Sequence, residues 1–80
     1  MGRYIKKPVV IDAIQLTPDT FEEVDKFIEY KHEIASNKVI IETLEGFMTA
    51  ELGDWIIKGV KGEYYPCKDE IFRMTYERVD

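Results

Sequence analysis

Residues with intrinsic reactivity are few in this chain and poorly placed to help one another. Cys67 and His32 are the single cysteine and the single histidine. A cysteine nucleophile needs a base or a cationic surrounding to hold its thiolate, yet His32 falls near the end of an acidic stretch and only Lys68 adjoins Cys67. Cys67 therefore reads as a small packing residue at a strand end. One histidine and one cysteine cannot complete a zinc site, and the carboxylates lack metal-loop spacing. Ser36, the only serine, has no G-x-S-x-G elbow around it, which excludes a serine hydrolase. Gly59-Val60-Lys61-Gly62 spells the G-x-x-G of nucleic-acid clamps, but that loop joins two helices and here it follows a strand pattern. Neither a dinucleotide fingerprint nor a P-loop is present. The expectation is a protein that is not an enzyme and carries no cofactor or metal.

What remains is a surface. Trp55, Tyr64 and Tyr65 cluster with Lys58, Lys61 and Lys68, while Arg3, Tyr4, Lys6 and Lys7 stand at the other end of the chain. Aromatic rings stack on bases and cations hold phosphates, so this mixture suits a nucleotide-like ligand. The candidate ligand set is Arg3, Tyr4, Lys6, Lys7, Trp55, Lys58, Lys61, Glu63 and Tyr65, with Glu63 included because it follows Gly62 and precedes two tyrosines. The competing reading puts Trp55 and one tyrosine in the core and leaves the lysines on a wet face.

These residues must be positioned by short elements. Residues 9–16 are β-branched and then alternate, which predicts a strand with Pro8 at its start. Thr17-Pro18 resembles an N-cap and first helical position, and Thr20 with Glu23 an alternative capping box. Phe21, Val24, Phe27 and Ile28 recur at helical spacing, predicting an amphipathic helix over residues 18–30. A polar stretch follows. Residues 39–44 and 47–52 then read as a hairpin about Glu45-Gly46, residues 55–60 and 63–65 as two further strands, residues 69–73 as a helical turn, and residues 74–79 as a closing strand. The class is α+β, in the order β-α-β-β-β-β-short helix-β, with one small, curved, mostly antiparallel sheet and one covering helix.

Eighty residues form a single domain, 1–80, with a modest core. Eleven basic against sixteen acidic side chains argue against duplex nucleic acid or an anionic membrane as partner. No apolar run reaches spanning length, no secretory h-region is present, and one cysteine forms no internal disulfide, which together predict a cytoplasmic protein. A sheet with one covering helix leaves a face or edge open, so a homo-oligomer is expected.

The opening Met1-Gly2-Arg3-Tyr4-Ile5-Lys6-Lys7-Pro8-Val9-Val10, the Ile41-Glu42-Thr43-Leu44-Glu45-Gly46 hairpin, the block from Gly53-Asp54-Trp55-Ile56 to Tyr65-Pro66-Cys67, and Ile71-Phe72 with Thr75-Tyr76 are similar to a family of short uncharacterised phage and prophage proteins. The resemblance covers nearly the whole chain. It implies a non-enzymatic binding protein working by stoichiometry in the host cytoplasm during infection. One expectation is a counter-defence sponge that sequesters a nucleotide-derived immune signal, such as a cyclic nucleotide or an ADP-ribose derivative, in pockets between protomers. The alternatives are an acidic inhibitor docking on a host defence complex through the helix, and an accessory or assembly protein.

Overall fold

Apolar alternation and glycine turns build six short strands and two short helices in this computed structural model, which describes residues 1–5 and 7–80. The order is β1 (Asp12–Gln15), α1 (Phe21–Phe27), β2 (His32–Ile34), β3 (Lys38–Thr43), β4 (Gly46–Glu51), β5 (Trp55–Lys58), β6 (Tyr64–Cys67) and α2 (Asp69–Thr75). The α+β class holds. The strands divide into two antiparallel three-stranded sheets, β1-β5-β6 and β2-β3-β4, with β6 packed against β3 and β4.

Four local expectations need correction. The helix is shorter than residues 18–30 because Thr17 to Thr20 form a turn instead: the Thr20 N–H donates to the Thr17 carbonyl (3.1 Å) and the Thr20 hydroxyl to the Gln15 carbonyl (2.8 Å). That hydroxyl is thereby unavailable as a helix cap, and α1 leaves the helical region at Ile28. The polar stretch contains β2, which pairs with β3 and lacks any alternation of its own. The hairpin turns at Leu44-Glu45, one residue early, because Gly46 takes φ 102° just after the turn, a position glycine fills without strain. Among the described residues no strand follows α2. Residues Asp69 and Arg73 (2.9 Å), like Phe72 and Tyr76 (5.0 Å between rings), are four apart, and this helical spacing carries α2 to Thr75.

Strand register assigns the two faces of β1-β5-β6. Ile14, Ile56 and Tyr64 point into the main core with Leu16, Val24, Ile28, Val39, Ile41 and Ala50. Tyr64 meets the edge of Phe27 at 5.8 Å. The opposite face carries Ala13, Gln15, Trp55, Ile57 and Tyr65, and α2 lies over it through a Trp55–Phe72 stack with rings 4.1 Å apart and 6° from parallel. Ile57 is fully buried there, outside the main core. The sheet is therefore covered on both faces, where the sequence suggested one covering helix.

Candidate functional site

The Gly53-Asp54-Trp55 turn sets the geometry around which the site is built. Gly53 takes φ 95° and donates its N–H to the Leu16 carbonyl (2.7 Å), locking the β4–β5 turn onto the end of β1. Asp54, the only buried charged side chain among the described residues, accepts the Glu51 N–H (2.9 Å) and the Lys68 ammonium (3.1 Å). The hydrogen bond and charge of Asp54, with Glu51 beyond, raise the Lys68 pKa. Asp69, at the start of α2, accepts the Trp55 indole N–H (2.8 Å), Arg73 Nε (2.9 Å) and the Gln15 amide (3.4 Å). The indole hydrogen bond, assisted by Arg73, holds the Asp69 carboxyl below its usual range. These carboxylates pin α2 to the sheet and fix the indole in place.

Beside this clamp opens a cleft of about 840 Å³, walled on one side by residues 7–13 and on the other by residues 75–80. Its aromatic wall is Trp55, Phe72 and Tyr76, ring against ring. Tyr76 also hydrogen-bonds Tyr65, whose pKa is pushed up to about 12 by burial, by that hydrogen bond, and by neighbouring charge including Glu63. In charge the lining is mixed, with Lys7 and Arg78 against Asp12, Glu77 and Asp80. A second hollow of about 260 Å³ lies between the β3–β4 turn and β6, lined by Leu44, Met48, Glu63 and Tyr65 among others.

Of the sequence-chosen residues, Lys7 and Trp55 meet in the larger cleft, and Glu63 and Tyr65 in the smaller one. Arg3 and Tyr4 are exposed upstream, and Lys6 lies outside the described residues. Lys58 sits 5.9 Å from the Tyr64 ring centre, and Lys61 is exposed in the β5–β6 turn. Glu63 folds over Gly59 so closely that an added Cβ there would fall 1.5 Å from its Oε1. Trp55 is not a bare stacking platform, since Phe72 already covers one face and Asp69 holds its edge. Phe72, Tyr76, Asp69 and Asp54 were missed as site builders. The i, i+4 pairs Asp69/Arg73 and Phe72/Tyr76 were the available signal.

Cys67 makes only a weak contact from Sγ to the Lys68 carbonyl (3.6 Å), and burial together with the Asp54 charge raises its pKa. His32 is engaged elsewhere, with Nε2 on Asp25 (2.7 Å) and Nδ1 on the Tyr30 carbonyl. Among the described residues, no group of three His, Cys, Asp or Glu side chains forms a metal site, and no helix is long and apolar enough to cross a membrane. No family model, curated protein or solved structure matches the chain.

Proposed function

We propose that this chain is a small, non-enzymatic binding protein of phage type that sequesters a nucleotide-derived signal in the host cytoplasm, taking the ligand in the cleft between its two chain ends. The observation carrying this reading is the aromatic wall of Trp55, Phe72 and Tyr76 in a space of about 840 Å³, a size suited to a mononucleotide or dinucleotide. A base lies against the rings. The phosphates take their cations from the basic N-terminal residues Arg3, Lys6 and Lys7. The raised thiol pKa of Cys67 and the engaged ring of His32 support binding over nucleophilic chemistry. The acidic-inhibitor reading is weakened by internal pairing, because Glu22 is bridged to Lys26 (3.5 Å) and Asp25 to His32 (2.7 Å), which leaves the helix a smaller free acidic face.

Calorimetric titration with ADP-ribose and with a cyclic dinucleotide tests the reading. Wild type should bind one of them, more weakly as salt rises, and both Phe72→Ala and the double reversal Arg3→Glu/Lys6→Glu should lose at least tenfold in affinity. Reversal of Glu22 and Glu29 should change nothing. Absence of binding by wild type, or unchanged affinity in the Arg3/Lys6 variant, would overturn it.

A further inference from the structure

Among the described residues, Lys7 and Arg78 line the cleft of a single copy against Asp12, Glu77 and Asp80, a net negative lining that disfavours a phosphate ligand. An unused strand edge runs along the same cleft. Leu16 turns its N–H to the Asp54 carbonyl (2.8 Å) and its carbonyl to the Gly53 N–H (2.7 Å). Backbone direction alternates along a strand, so Ala13 and Gln15 turn theirs outward, where β1 is the edge of its sheet; the Thr20 hydroxyl takes the Gln15 carbonyl (2.8 Å), which leaves the edge open from Ala13 toward the N-terminus. Val9 and Ile11 have the same parity. Pro8 has the parity of Leu16, so its missing N–H leaves the outer edge intact. β5 ends at Lys58, opposite Asp12, which leaves residues 9–11 without a strand partner among the described residues. Yet these residues are β-branched, and Val9 and Val10 are 48% and 76% exposed.

Charge identifies the occupant. Arg3, Lys6 and Lys7 precede every acidic side chain, and all sixteen acids lie from Asp12 onward. A basic, β-prone arm and an acidic body in one chain complement each other between copies, and a two-fold pairing satisfies both arms at once. We propose that the cleft is completed by a second copy of this chain, with residues 7–13 of the two copies paired antiparallel about a two-fold axis at Val10. An axis there sets Val10 against Val10 and Val9 against Ile11, so the three β-branched residues meet only one another. An axis at Val9 would place Ile11 on Lys7, and one at Ile11 would place Val10 on Asp12.

The pairing sets Lys7 of the second copy opposite Ala13, and residues directly opposite share a face. Ala13 is on the Trp55 face, so the ammonium arrives beside the aromatic wall. Lys7 of the same copy also lines the cleft, but it lies six residues from Ala13, about 20 Å if that run is extended, so the second copy's Lys7 adds a cation at a different point. This inference rests on the nucleotide reading for the role of Lys7, whereas the pairing itself does not.

Sedimentation of ligand-free protein at 1–100 μM tests the pairing. Wild type should be a dimer, loosening with salt. Val9→Pro, which removes an outward N–H, and Val10→Lys, which sets two ammonium groups face to face, should each raise the dimer dissociation constant at least tenfold with an unchanged circular dichroism spectrum. In a Cys67→Ser background, Val10→Cys should form a disulfide dimer on mild oxidation while Tyr30→Cys does not. A monomeric wild type, dimers that survive both substitutions, or no cross-link would overturn the proposal. Where wild type binds ADP-ribose, mixing equal amounts of Lys7→Ala and Phe72→Ala protein should restore about a quarter of all sites, because random exchange makes half of the dimers mixed and one of the two clefts in each mixed dimer then has both residues. Failure of that rescue would refute the shared site. A dimer that binds neither probe refutes the nucleotide reading and leaves the pairing standing.

Discussion

Removal of the buried Asp54 carboxylate should unfasten the β4–β5 turn. Asp54 is 5% exposed and holds two partners, the Glu51 N–H at 2.9 Å and the Lys68 ammonium at 3.1 Å. The first is a charge-assisted hydrogen bond whose loss strands a backbone donor, worth about 1.5–3 kcal/mol. The second is nearly worthless in isolation, because the Lys68 side chain is 61% exposed and returns to water. Asp54→Ala should therefore cost about 2–3 kcal/mol, and Asp54→Asn, which keeps an oxygen for the Glu51 N–H, about 1 kcal/mol or less. For a domain this size 1 kcal/mol moves the melting temperature by about 4–8 °C, so the alanine variant should melt roughly 10–20 °C lower. Urea denaturation with a common m-value would measure both. The reasoning is refuted if the asparagine variant falls as far as the alanine one, or if Lys68→Met matches Asp54→Ala.

Gly53→Ala should destabilise by about 1–2 kcal/mol, since φ 95° crowds a Cβ against its own backbone; chemical denaturation would show it, and an unchanged midpoint would contradict the strain. Tyr65, with its pKa raised to about 12 in the fold against an ordinary value of 10.0, favours the folded state fully below pH 10 and progressively less as pH rises from 10 to 12. Titration of tyrosinate absorbance should show Tyr65 ionising late, and Tyr76→Phe should bring that ionisation down. Cys67 should alkylate more slowly than an unfolded control at pH 8, since burial and the Asp54 charge raise its pKa, and Cys67→Ser should leave nucleotide titration curves unchanged.

Local patterns alone were enough for the α+β class, the β3–β4 hairpin and the inward faces of β1 and α1, because period-2 alternation and the Phe21/Val24/Phe27/Ile28 spacing are properties of adjacent residues. β2 was hidden for the opposite reason: Glu33 and Ile34 are both exposed, and the strand exists only because β3 supplies its hydrogen bonds. Residues 74–79 look strand-like, but α2 runs on to Thr75, with Asp69 held to Arg73 and Phe72 beside Tyr76. The Gly53-Asp54-Trp55 block was legible as important and misread in its role. Its aspartate and indole spend their hydrogen bonds on Glu51, Lys68 and Asp69, contacts that depend on which elements fold back together. Charge order along the chain, basic before Asp12 and acidic after, is likewise plain in the sequence. That the cleft should join Lys7 to Trp55, and that β1 should keep an open edge there, was decided by sheet order, because only a strand's neighbours determine which of its backbone groups are left over.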